Sequence, residues 1–64
     1  MNKDIFREMT ASLSASRIHE CAARNGERLF GYIIDYIKDM YGLSKPEAWD
    51  TATEICKHFN LHHD

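Results

Sequence analysis

Residues 29–43 read LFGYIIDYIKDMYGL and form the most apolar segment of this 64-residue chain. On a helical wheel, the polar positions of residues 27–41 fill an arc of about 120°, and apolar or aromatic side chains fill about 200°. A surface helix usually shows an apolar stripe little wider than about 100°. We therefore predict a central helix at about 27–41 that has at least two apolar faces.

The segment after this helix predicts another helix, at about 45–60. Ser44 is the expected N-cap, Glu47 completes a capping box, and Pro46 sits in the first turn, where a missing N–H is harmless. Gly42 followed by Leu43 predicts a Schellman-type stop and hence a helical hairpin. Residues 61–64 are expected to form a loose C-terminal tail.

Residues 3–24 predict a first helix, with Asn2 as its N-cap. Its apolar pattern changes face: one stripe spans residues 5–13, and a second, spanning residues 11–22, is rotated by roughly half a turn. Serines at alternate positions between 12 and 16 are poor helix-interior residues. The pattern permits either one long helix, straight or kinked, or two helices split near 12–16, and we favour the single helix. Asn25 and Gly26 mark its end.

The predicted fold is thus an all-α, single-domain protein of three helices. The chain is 44% hydrophobic and 28% charged, which is enough apolar mass to fold. However, a chain of this length has a marginal core, and small domains often gain stability from a partner subunit. We therefore expect a helical homodimer, most simply with twofold symmetry.

The composition also limits the functions that the chain can have. The formal net charge of −2 is too balanced to indicate an electrostatic partner of either sign. The N-terminus lacks the apolar core of a signal peptide, and no run is long enough for a membrane span, which predicts a cytoplasmic protein without membrane contact. Cys21 and Cys56 are interpreted as small apolar core residues rather than a disulfide.

Metal binding and catalysis have weak support in the sequence. His58 and His62 have helical spacing, but the predicted helix ends between them, so no metal site and no cofactor are expected. His19 and Cys21 are only two residues apart and do not face each other on a helix. A small helical domain is also expected to lack a concavity of about 300 Å³ or more. We therefore predict a non-enzymatic chain without a small-molecule substrate.

A small nucleic-acid-binding regulator of the helix-turn-helix type is the alternative function. The hairpin around Gly42 has the outline of that motif. Against it, the would-be recognition helix carries Asp50 and Glu54, which would repel phosphates. The arginines are scattered around the wheel rather than aligned in a basic stripe: Arg7, Arg17, Arg24 and Arg28.

Protein association is the function that the sequence favours, because the wide apolar arc exceeds what neighbouring helices can easily cover. The chain is also similar in size and in its lack of chemical motifs to small bacterial, phage or plasmid regulators. We predict a small regulator or inhibitor that binds or sequesters a partner protein, or itself, through an apolar and aromatic helix face. The predicted interface residues are Ile5, Phe6, Met9, Leu13, Phe30, Tyr32, Ile33, Ile34, Tyr36, Ile37, Met40 and Trp49.

Overall fold

A computed structural model describes residues 1–61, and these residues fold into four α-helices without a strand. In chain order the helices are α1 (Lys3–Ser12), α2 (Ala15–Arg24), α3 (Leu29–Tyr41) and α4 (Lys45–Phe59). They pack into a body of 25 × 19 × 18 Å. The all-α prediction is confirmed, whereas the prediction of three helices is wrong by one.

The additional helix arises because the first predicted helix is divided at Leu13 and Ser14. Both residues have extended backbone, and the Ser14 hydroxyl accepts a hydrogen bond from the Arg17 N–H at 3.3 Å, which caps α2. Ser12 ends α1 with its hydroxyl bonded to its own helix, at the Glu8 carbonyl. Serine side chains that compete for backbone groups in this way favour helix ends over helix interiors. The split that the sequence left open as the second possibility is therefore the one observed.

The division also explains why the apolar pattern changes face. Ile5 and Met9 of α1 are buried, and α1 packs against α4. Ile18 and Ala22 of α2 are buried, and α2 packs against α3. Each apolar stripe therefore packs against a different helix. A single straight helix could not bring both stripes into these contacts.

The helix ends differ in detail from the predicted motifs. Gly42 has a left-handed backbone (φ 67°), and its N–H bonds to the Lys38 carbonyl alone, so α3 ends in the simpler αL motif rather than the Schellman motif. Ser44 does cap α4, but its side chain makes no capping hydrogen bond. Pro46 lies at the second helical position and lacks one of the two N–H groups that a serine cap uses.

The α2–α3 connection ends α2 in a Schellman motif centred on Gly26. The Gly26 N–H bonds to the Ala23 carbonyl and the Glu27 N–H to the Ala22 carbonyl. As a result α3 begins at Leu29, two residues later than predicted, with Arg28 as its N-cap. Glu27 therefore lies in the loop and not on the polar face of the helix.

The core lies between α3 and α4 and is closed by α1 and α2 on different sides. Its fully buried members include Ile33 and Ile37 of α3 and Ile55 of α4, all at 0% exposure. Leu61, predicted to begin a loose tail, packs against this core and bonds through its N–H to the Cys56 carbonyl. The rest of that predicted tail lies outside the described residues.

Candidate functional site

The predicted interface residues divide into three groups in the structure. Six belong to the core of the chain itself and are not available to a partner: Ile5, Met9, Phe30, Ile33, Ile34 and Ile37. Four are half-buried: Phe6, Leu13, Tyr32 and Tyr36. Met40 and Trp49 are exposed, at 59% and 54%. The centre of the wide apolar arc is therefore covered within one chain, whereas Tyr32, Tyr36 and Met40 stay at least partly uncovered.

These three residues form one ridge of an open groove, which we call the α3 groove. Tyr32, Tyr36 and Met40 are spaced four apart on α3, and Asp35 and Asp39 form the adjacent ridge. The α2–α3 loop supplies the remaining wall. The groove has a volume of about 400 Å³ and is lined by Asn25, Glu27, Tyr32, Asp35, Tyr36, Asp39 and Met40.

The expectation that so small a chain lacks a concavity of this size is therefore wrong. The reason is the later start of α3 at Leu29, which leaves Glu27 in the loop beside α3 instead of on the helix. Together with Asn25, this loop residue stands opposite the side chains of α3 and makes a groove from what would otherwise be a convex helix surface.

Two tyrosine rings lie along the groove. The ring centroids of Tyr32 and Tyr36 are 6.0 Å apart and the ring planes meet at 42°. Burial raises the pKa of the Tyr32 hydroxyl, and the neighbouring Cys21 thiol raises it further. Tyr32 is thus held against α2 as well as facing the groove.

Three carboxylates give the groove its charge. Glu27, Asp35 and Asp39 are all exposed. Desolvation raises the pKa of the Glu27 carboxyl, and the negative charges of Asp35 and Asp39 raise it further. Within residues 1–61, the ion pairs involve other acidic groups, namely Asp50, Glu20 and Glu54. Glu27, Asp35 and Asp39 therefore have no ion-pair partner among residues 1–61.

Trp49 lies on a different surface. Its ring packs edge-on against Phe30 at a centroid distance of 4.6 Å. The next residue, Asp50, binds the Met1 amine at 2.6 Å, which fixes the start of the chain to α4. Trp49 is not among the residues that line the α3 groove.

The chemistry of the groove differs from that of the common nucleophilic enzymes. Among residues 1–61, no serine, cysteine or histidine lines it, and its carboxylates are exposed. Cys56 is buried in the core, and burial raises the pKa of its thiol, which makes it a poor nucleophile at neutral pH. Both cysteines are free thiols.

Of the two weak metal candidates, His58 is not among the residues that line the groove. His58 is exposed and its ring meets Phe6 and Phe59 edge-on, at centroid distances of 5.6 and 4.9 Å. His62 lies outside the described residues. Among residues 1–61, no three histidine, cysteine or acidic side chains converge as metal ligands would.

The surfaces invoked for nucleic-acid binding carry mixed charge. On α4, Glu47 and Asp50 are exposed near the predicted recognition surface, and Asp50 is paired with the chain's own amine. On α2, Arg24 is paired with Glu20 at 2.7 Å. As for membranes, none of the helices within residues 1–61 is both long and apolar enough to cross one.

The sequence matches no family model, no curated protein and no solved structure. The chain's own geometry is therefore the basis for any functional conclusion.

Sequence reasoning missed four residues of the groove: Asn25, Glu27, Asp35 and Asp39. Asp35 and Asp39 had a usable signal, because they share the four-residue spacing of the tyrosines and so run beside them on α3. The position of Glu27 in the groove had no such signal, because it depends on where α3 begins.

Proposed function

We propose that this chain is a non-enzymatic protein-interaction module, a small regulator or inhibitor that binds a partner protein in the α3 groove. The observation that carries the proposal is the ridge of Tyr32, Tyr36 and Met40, which stays accessible along the groove while the neighbouring isoleucines of the apolar arc, Ile33, Ile34 and Ile37, are buried. Tyrosine is enriched at energetically important positions of protein interfaces, and exposed methionine adapts to varied partner surfaces.

A partner other than a second copy of this chain fits the groove better. In a twofold dimer the same surface is used by both copies, so the carboxylates of two grooves would be brought into one interface. Like charges brought together in an interface oppose association. The homodimer predicted from the sequence consequently remains a prediction, and a sedimentation-equilibrium mass of one chain at high micromolar concentration would contradict it.

Nucleic-acid binding is the weaker proposal. A groove with three carboxylates that lack ion pairs within residues 1–61 repels phosphates, and the exposed start of α4 carries mixed charge rather than a basic patch.

The proposal is tested by comparing two variants in affinity capture from the source cells. Met40→Gln and Trp49→Gln each replace a large exposed apolar side chain by a polar one, but only Met40 lines the groove. We expect Met40→Gln to reduce recovery of a specific protein at least severalfold and Trp49→Gln to leave it unchanged. Thermal unfolding of both variants shows first that each is folded.

The opposite pattern would contradict the proposal. If Met40→Gln recovers as much of every protein as the original chain does, the α3 groove is not the binding surface. If only Trp49→Gln loses a protein, the binding surface lies on α4 instead.

A further inference from the structure

The side chains that line the α3 groove are of two chemical kinds. Tyr32, Tyr36 and Met40 offer aromatic and apolar contact area. Asp35 and Asp39 on the adjacent ridge and Glu27 on the loop add negative charge. An occupant that fits both kinds needs an apolar or planar body together with a positive charge.

Arginine and lysine side chains have this combination. A guanidinium group stacks on aromatic faces and binds carboxylates through two parallel hydrogen bonds, and the methylene stem of either residue covers apolar surface. The two tyrosine rings, 6.0 Å apart and tilted by 42°, present ring faces one helical turn from each other. Asp35 and Asp39 repeat with the same spacing beside them.

Resting on the proposed function, we infer that the partner enters the α3 groove with a basic segment, whose arginine or lysine side chains lie between the tyrosine rings and the carboxylates. Charge complementarity selects this occupant. No cation of residues 1–61 pairs with the three carboxylates, so a basic segment supplies counter-charges that the chain itself does not.

The clustering of these carboxylates supports the same occupant. Desolvation together with the charges of Asp35 and Asp39 already raises the pKa of Glu27. The ionised form of this carboxyl is therefore disfavoured in the folded chain. A bound cation relieves that repulsion. A second copy of the chain, a nucleic acid or an acidic peptide would increase it.

A peptide titration tests the inference directly. The probe is the blocked pentapeptide Gly-Arg-Gly-Arg-Gly, and the matched control replaces both arginines by citrulline, which keeps the shape of the side chain but removes its charge. The titrations are followed by amide chemical shifts of the isotope-labelled chain. We expect the arginine peptide to shift the signals of Tyr32, Tyr36 and Asp39, and the citrulline peptide to bind at least about tenfold more weakly. The affinity should also fall as salt is raised from 50 to 500 mM, on the basis of charge screening.

Two double variants test which carboxylates the affinity for the arginine peptide depends on. Asp35→Asn combined with Asp39→Asn should weaken the arginine peptide at least severalfold. Asp4→Asn combined with Glu47→Gln makes the same change in net charge on α1 and α4 and should leave its affinity unchanged. Equal binding of the two peptides, or equal losses from the two double variants, would overturn the inference, as would stronger binding of a single-stranded oligonucleotide to the same residues.

Failure of this inference is distinguishable from failure of the proposed function. If the captured protein depends on Met40 but not on Asp35 and Asp39, the groove binds a partner that is not basic at this site. If the captured protein does not depend on Met40, the proposed function itself fails.

Discussion

At the scale of single residues, Glu27 shows how a local backbone motif sets the properties of a site. The Schellman motif at Gly26 leaves Glu27 in the loop, where desolvation and the charges of Asp35 and Asp39 raise the pKa of its carboxyl. A carboxyl whose pKa is higher in the folded than in the unfolded chain binds protons preferentially when folded. Its contribution to stability is therefore fully present below the unfolded pKa and is lost as the pH rises through the folded pKa.

Glu27→Gln should accordingly raise the melting temperature at pH 7, because it removes a charge that the folded state disfavours. The difference from the original chain should vanish below about pH 4, where the ordinary glutamate is protonated in both states. Thermal unfolding between pH 3 and 8 measures this. Glu54→Gln is the control, since Glu54 pairs with Lys57 at 3.5 Å and its loss offers no such gain. A lower melting temperature of Glu27→Gln at pH 7 would show that the carboxylates do not repel one another.

At the scale of helices, the break between α1 and α2 was visible in the sequence as a change of apolar face and a run of serines. The pattern could not decide between a kink and a break, because that choice depends on which neighbours cover the two stripes. The Ser14 cap and the separate packing of α1 on α4 and α2 on α3 decide it.

Ser14→Ala should therefore lower the free energy of unfolding by about 1 kcal/mol, the usual effect of removing a helix N-cap. Chemical denaturation measures the change. Ser12→Ala is the matched control: Ser12 is exposed and its hydroxyl bonds only to its own helix, so the substitution should be neutral or slightly stabilising. Equal effects of the two substitutions would mean that Ser14 does not cap α2.

Two glycines of the α3 region should respond to alanine with opposite signs. Gly31 lies within α3, and apart from its chain neighbours and the backbone of its own helix, no atom of the described residues lies within 4 Å of the position that an added Cβ would occupy. Gly31→Ala should therefore stabilise the chain by roughly 0.5–1 kcal/mol. Gly42 has a φ of 67°, so Gly42→Ala should destabilise it by about 1–2 kcal/mol. Denaturant midpoints of the two variants give the signs, and a stabilising Gly42→Ala would contradict the left-handed helix end.

At the scale of the whole molecule, the sequence predicted the helical class, the α3–α4 pairing and an apolar excess on α3. It overestimated how much of that excess stays uncovered, because the split at Ser14 lets α1 and α2 cover two sides of the core at once. Phe30 and Ile34 were expected at an interface and are instead only 6% and 8% exposed. The place of Glu27 in the groove was missed because it depends on the fold of the α2–α3 loop.

Ile37 and Met40, three residues apart on α3, test this division between core and surface. Ile37 is fully buried, so Ile37→Ala should cost about 2–5 kcal/mol. A chain of this length has a total stability of roughly 3–10 kcal/mol, so much of the fold's stability would be lost. Met40 is 59% exposed, so Met40→Ala should stay within about 0.5 kcal/mol. Denaturation curves of the two variants measure this, and similar losses would show that Met40 is covered, for example by a second copy.

The central claim is that the α3 groove is where another protein binds. Site-specific photo-crosslinking in the source cells tests it most directly, with a photoreactive phenylalanine analogue placed at Met40 in one variant and at Arg7, exposed on α1, in another. We predict that the probe at position 40 forms a covalent adduct with one defined protein and that the probe at position 7 does not. Adducts of equal yield at both positions, or at position 7 alone, would contradict the claim.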